Sequence, residues 1–259
     1  MPPASYTRRI PSSADYWYAS SRPLASLLFV APMLIAYEAG ILVQGAEAAR
    51  NGADAWLRGF LERMGFGQYF LLPILTCGLL LAWHHAVRER WEVSRDVLMR
   101  MIGESVALAV ILICGAQTQS FLFAQFAGPS LDATVPAASA REFGGMIGYL
   151  GAGIYEELLF RLMLVPAVIG LFRAAGGTDR LNLVMAATIS SLLFAAAHYQ
   201  LDLWFGPWHL VTNHGYPFDW FSFLFRFWAG MFFAILFVRR GFGIAAGAHA
   251  LYDILAVLA

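Results

Sequence analysis

Gly153–Ile154–Tyr155–Glu156–Glu157–Leu158–Leu159–Phe160–Arg161–Leu162 sets two adjacent carboxylates and a guanidinium inside an apolar run reaching from about Gly144 to Leu171. At bilayer depth an unpaired charge costs a few kcal/mol at least, so such groups face a polar interior and mark function. If the run is helical, Glu157 and Arg161 stand at i and i+4 on one face, with Glu first, the order that favours an ion pair. Glu156 lies about 100° round the helix, so Arg161 cannot easily neutralise both carboxylates. Glu156 therefore needs a metal, a histidine or a proton of its own.

The rest of the composition agrees with a membrane setting. Of 259 residues 59% are hydrophobic and 15% aromatic, only 13% are charged, and mean hydropathy is +0.62. These values lie outside the soluble globular range and inside that of polytopic helical membrane proteins. With 17 basic and 17 acidic residues the net charge is zero, so nothing draws the chain to nucleic acid. Cys77 and Cys114 both fall in apolar runs and read as buried structural thiols rather than a disulfide or a nucleophile.

Seven apolar segments follow one another, which predicts an all-α, polytopic transmembrane helical bundle of about seven spans. They run from about Leu24 to Val43, Tyr69 to Val87, Leu98 to Phe126, Gly144 to Leu171, Leu181 to His198, Trp220 to Val238 and Phe242 to Leu258. An eighth span follows if a long one breaks near Gly115 or Gly151. Residues 1–23 form a polar tail with Arg8, Arg9 and Arg22, ending in the interfacial cluster Tyr16–Trp17–Tyr18. Ala46–Glu47–Ala48 resembles a signal-peptide cleavage site, but the preceding run of roughly 20 residues exceeds a signal core, so it reads as a retained helix.

Arginines orient the bundle. Arg88, Arg90, Arg95 and Arg100 crowd the second connection, Arg173 and Arg180 the fourth, and Arg239 and Arg240 the sixth. The connection at 128–143 has only Arg141, and that at 199–219 has none. By the positive-inside rule the N-terminus is cytoplasmic and the C-terminus is not. The first connection, with Arg50, Arg58 and Arg63, fits this alternation least well. The connection at 199–219 carries Trp204, Trp208, His209, His214 and Tyr216, and reads as an aromatic segment in the interface or a cap over a site.

Further polar positions answer the need of Glu156. His198 closes Phe194–Ala195–Ala196–Ala197–His198, and His249 and Asp253 stand four apart in His249–Ala250–Leu251–Tyr252–Asp253. Three helices thus offer two imidazoles and three carboxylates that can converge in a bundle core. Glu104, Arg226, His84 and His85 are ionisable groups without a motif. Glu104 and Arg226 read as a mutual or framework pairing, the two histidines as interfacial. His209 and His214 are alternative ligands.

Glu–Glu–x–x–x–Arg, Phe–x–x–x–His and His–x–x–x–Asn/Asp, in this order on successive hydrophobic segments, resemble the CPBP family. These are the CAAX-prenyl-protease and bacteriocin-processing intramembrane peptidases, also called the Abi family. The resemblance covers 144–259 and implies a catalytic core there, following N-terminal transmembrane helices at 24–143. It implies that Glu156 activates water, that Glu157 and Arg161 support it, and that His198, His249 and Asp253 complete the site. Asp253 stands where the family commonly has Asn. Two chemistries stay open: Zn2+ on Glu156, His198 and His249, or a metal-free glutamate mechanism without cofactor. The implied partners are a peptide or protein substrate at the membrane and the lipid bilayer; the implied location is the bacterial inner membrane. A transporter, scaffold or immunity protein using the same buried charges is the rival reading. The enzyme reading requires Glu156, His198 and His249 around one cavity, with His198 within roughly 10 Å of Glu156, the reach of one or two bridging waters.

Overall fold

In hydrocarbon a backbone must satisfy its own N–H and C=O groups, and the apolar runs do so by coiling. The computed structural model describes residues 13–45, 50–127, 143–200, 202–205, 208–211 and 215–258. Arg8, Arg9, Ala46–Glu47–Ala48, Arg141 and His214 lie outside the described residues, as do the side chains of Trp204, Trp208 and His209.

The helices are α1 (Ser13–Ser21), α2 (Pro23–Gln44), α3 (Gly52–Arg63), α4 (Leu71–Val87), α5 (Arg95–Ala127), α6 (Phe143–Gly151), α7 (Val165–Ala174), α8 (Asp179–Ala196), α9 (Trp220–Arg240) and α10 (Phe242–Leu258). Each expected segment coincides with a helix to within about one turn. Between α6 and α7 the helix widens to π geometry over Ala152–Glu156 and Leu158–Leu164. The fourth segment therefore changes pitch after Gly151 instead of breaking, while α5 runs unbroken through Gly115. Four helices, α2, α5, α8 and α9, are long and apolar enough to cross a membrane, and α4 and α10, at 17 residues each, are shorter. The count of seven or eight spans stays a reading of the sequence. Among the described residues the bundle is helical, as the all-α expectation has it, with one short antiparallel hairpin, β1 (Asp202–Phe205) and β2 (Trp208–Val211), in the 199–219 connection.

At the centre stands α10. Every residue from Phe242 to Ala250 is buried, between α2, α5, α9 and the π-helical stretch. Small residues allow this. A Cβ on Gly153 would lie 2.6 Å from Ala246 O and 2.8 Å from Ala250 N, so only glycine lets the π-helical stretch sit this close to α10. Outward faces are apolar too: Ile102, Val106, Val110 and Ile111 of α5 are exposed, as suits a lipid-facing surface. Cys114 lies exposed and Cys77 half-buried, which corrects the expectation of two buried thiols. In lipid an outward apolar face costs nothing, so an apolar run does not by itself imply burial in protein.

Two polar networks tie the ends. At one end Arg240 donates to Glu104 Oε1 and Oε2, both at 2.6 Å, to Trp17 O at 3.1 Å and to Ser20 Oγ at 3.0 Å. Arg22 donates there to the backbone of Arg90 and Glu92. Glu104 is thus paired with Arg240, and not with Arg226, whose Nη1 donates to Tyr199 Oη at 2.8 Å. The two arginines stand fourteen positions apart on α9, about 21 Å of helix, so Arg226 cannot reach Glu104. His84 is buried edge-on against Trp91, and His85 is exposed. At the other end Asp54, fully buried on α3, accepts from Arg50 at 2.7 Å, Arg58 at 2.6 Å and Tyr37 at 2.7 Å. Glu38 accepts there from Arg58 at 2.8 Å and Tyr155 at 2.7 Å. Two of the three arginines that fitted the charge alternation worst are therefore consumed inside the protein.

Candidate active site

All six polar residues picked out by the motifs meet in the bundle core. Glu156 and Glu157 stand at the junction of the two π-helical segments, where i→i+5 bonding opens the turn. Arg161, wholly buried, places Nη1 3.1 Å from Glu157 Oε1, and its Nη2 donates to Gly230 O at 3.1 Å. Its guanidinium carbon also lies 4.3 Å from the ring centre of Phe194 and 5.6 Å from that of Phe233. The expected Glu157–Arg161 pair is present, inside a π helix rather than an α helix.

Both histidines turn Nε2 toward Glu156. Glu156 Oε2 is 3.7 Å from His198 Nε2 and 3.8 Å from His249 Nε2. His249 Nδ1 lies 2.8 Å from Glu157 Oε1, and its Nε2 lies 3.6 Å from Asp253 Oδ2. His198 Nδ1 lies 2.8 Å from Phe194 O. Tyr216 N–H donates to His198 O at 2.9 Å, so part of the 199–219 connection folds back on the histidine's backbone.

Aromatic residues fix these rings. Phe233 stacks on His249 at 4.5 Å and 15°, and Phe194 meets His198 and His249 edge-on at 5.0 and 5.8 Å. This gives the Phe–x–x–x–His spacing a physical reason. The turn that closes α8 sets the phenylalanine under Arg161 and its carbonyl against the imidazole it precedes.

The partners decide the tautomers. A carbonyl oxygen only accepts, so His198 carries hydrogen on Nδ1, and in the neutral ring Nε2 presents a lone pair toward Glu156. Glu157, ion-paired with Arg161, likewise accepts from Nδ1–H of His249. Glu156 Oε2 is buried and has no hydrogen-bond partner among the described residues. Oε2 and His198 Nε2 are two acceptors 3.7 Å apart, a separation that one water donating to both would bridge. His249, when protonated, donates from Nε2 into the same space. The arrangement supplies a base, a second acceptor that orients water, and a donor for developing negative charge.

Donor atoms around a tetrahedral zinc, with bonds of about 2.0–2.2 Å, lie about 3.4 Å apart. The pairs about Glu156 Oε2 spread wider, at 3.7 and 3.8 Å. Among the described residues no group of three His, Cys, Asp or Glu has the placement to hold a metal ion. As arranged, these side chains stand wider than the donors of a zinc centre, and their own chemistry acts on water.

Three contributors escaped the sequence reading. Phe194 was seen only as motif spacing, and Phe233 is one of 21 phenylalanines. Asn51, at the head of α3, donates from Nδ2 to Glu156 Oε1 at 2.8 Å.

With this geometry in place, the comparisons are specific. Residues 142–255 match the family model described as type II CAAX prenyl endopeptidase Rce1-like. The chain therefore carries an Rce1-like domain, in agreement with the resemblance of its motifs, and the match spans all six motif residues. That family is a protease family, and with the apolar helices it marks an integral membrane protein. Neither the curated proteins nor the solved structures give a match.

Proposed function

We propose that the Rce1-like domain makes this chain an intramembrane endopeptidase that hydrolyses a peptide bond at or near the membrane surface with a water activated by Glu156. One observation carries the reading: the unpartnered carboxylate oxygen of Glu156, buried between the Nε2 atoms of His198 and His249 at 3.7 and 3.8 Å. Buried polar atoms are rarely left without a partner, and those that are mark chemistry or bound water.

Glu156 Oε2 takes a proton from water while His198 Nε2 accepts the water's other O–H, which aims an oxygen lone pair at the scissile carbonyl carbon. As the C–O bond forms, the carbonyl oxygen gains negative charge, and protonated His249 donates to it. Glu156 then returns its proton to the amide nitrogen, the C–N bond breaks, and a carboxylic acid and an amine leave. Glu157 holds His249 by its Nδ1–H so that Nε2–H faces the carbonyl oxygen, and Arg161 holds Glu157 in place. Asp253, 3.6 Å from His249 Nε2, helps to orient and balance the ring. The substrate is a membrane-associated peptide, such as a prenylated C-terminus, a leader peptide or an anchored sorting tail. We place the protein in the bacterial inner membrane with its N-terminus cytoplasmic.

Purified protein in liposomes, offered those three kinds of peptide, should cut one of them at a single bond. Metal analysis of the same preparation should find less than stoichiometric zinc, with turnover unchanged by chelation. Failure to cut any membrane-associated peptide overturns the enzyme reading. Stoichiometric metal with chelator-sensitive turnover replaces the water-only mechanism by a zinc one on Glu156, His198 and His249.

A further inference from the structure

We infer that Asn51, outside the family-matched segment, is a positioning residue for the catalytic carboxylate, and that α3 is a built part of the active site. The inference rests on the proposed role of Glu156. Asn51 divides its amide between two tasks. Its Oδ1 accepts from Ala53 N–H at 2.9 Å and so caps the N-terminus of α3. Its Nδ2 donates to Glu156 Oε1 at 2.8 Å across 105 positions of sequence. The cap fixes which end of the amide faces Glu156, because the oxygen is already engaged.

This hydrogen bond resolves an ambiguity that the histidines leave. A carboxylate has two chemically equal oxygens, and its plane can turn about the last side-chain bond. With Oε1 held by Asn51, Oε2 is the oxygen turned to His198 and His249, and it keeps its lone pairs for water.

The rest of α3 holds Asn51 still. Asp54, one turn on and fully buried, is bound by Arg50, Arg58 and Tyr37. Tyr37 Oη also accepts from Asn51 N–H at 3.3 Å. Glu38 links Arg58 to Tyr155, the residue before Glu156. Two acids and two arginines thus clamp the head of α3 to the π-helical stretch beside the carboxylate it orients. At 12 residues α3 is too short to span, and its Asp54 and Arg58 hold its head, with Asn51, against α2 and the π-helical stretch.

Two substitutions separate capping from positioning. Asn51→Asp keeps a strong capping oxygen but sets a carboxylate against Glu156, and Asn51→Ser keeps the cap and withdraws the amide donor. Full-length protein in liposomes should stay within a few degrees of the parental melting temperature in Asn51→Ser, whereas the facing carboxylates of Asn51→Asp lower it, and both variants should keep KM within about two-fold. They should lose kcat about 10–100-fold, the worth of a hydrogen bond to a charged group. Unchanged kcat in both variants overturns the inference. So does a loss of kcat that only follows a lowered melting temperature in both, which assigns Asn51 to capping alone. The Glu156→Gln enzyme separates this failure from that of the mechanism. If it is inactive while Asn51→Asp turns over normally, only the role of Asn51 falls; if it is active, the mechanism itself falls.

Discussion

Removing the positive charge at position 161 should separate framework from chemistry. In Arg161→Leu a fully buried Glu157 keeps His249 and loses its cation, and breaking such a pair costs about 3–5 kcal/mol. The variant should melt well below the parent in detergent and lose activity. Glu157→Leu with Arg161→Leu should recover part of the stability, since no charge of that pair is then left unpaired, but not activity, because His249 loses the acceptor that holds its ring. A single variant that melts like the parent would refute the buried pair. The six motif residues were legible because each is the odd polar group in an apolar run, where an unpaired charge is costly. Asn51 gave no such signal: it sits among Arg50, Asp54 and Arg58, in a polar connection where an amide is unremarked.

At the scale of elements, the contact to test is that of the π-helical stretch on α10. Gly153→Ala would set a Cβ 2.6 Å from Ala246 O and 2.8 Å from Ala250 N, and backbone atoms cannot turn aside. We expect a loss of about 1–3 kcal/mol by overpacking and a sharp fall in turnover, since Glu156 and Glu157 would be pushed away from His249. Gly148→Ala, where a Cβ meets nothing within 4 Å, should match the parent in both melting and turnover. Equal behaviour of the two variants would show that the close approach is unimportant. The helices themselves were readable from runs of apolar residues, but their pitch was not. A segment apolar on all sides has no period to reveal whether its hydrogen bonds close at i+4 or i+5. The helix α3 was hidden for another reason: its arginines read as loop charges, and only folding pairs them with Glu38 and Asp54.

Over the whole molecule the charges sort by end. The connection between α4 and α5, the end of α9 and α1 come together through Arg22, Arg240 and Glu104, so the arginine-rich elements that should share a side of the membrane do lie together. Reporter fusions at the N-terminus and within residues 88–94 should both report the cytoplasm, and a periplasmic signal from either would reverse the orientation. Asn51 and Glu156 are held by the other network, so one chain uses ion pairs at one end for architecture and at the other to place a carboxylate. The most direct test of that carboxylate is turnover by Glu156→Gln on a membrane-associated peptide that the parent cuts. The amide keeps the size and the hydrogen bond from Asn51 but cannot take a proton. The mechanism predicts turnover lower by at least about 10²–10⁴-fold, with parental expression and melting. Turnover within about ten-fold of the parent, with contaminating peptidase excluded, would contradict it and return the site to the rival reading of a buried charge relay.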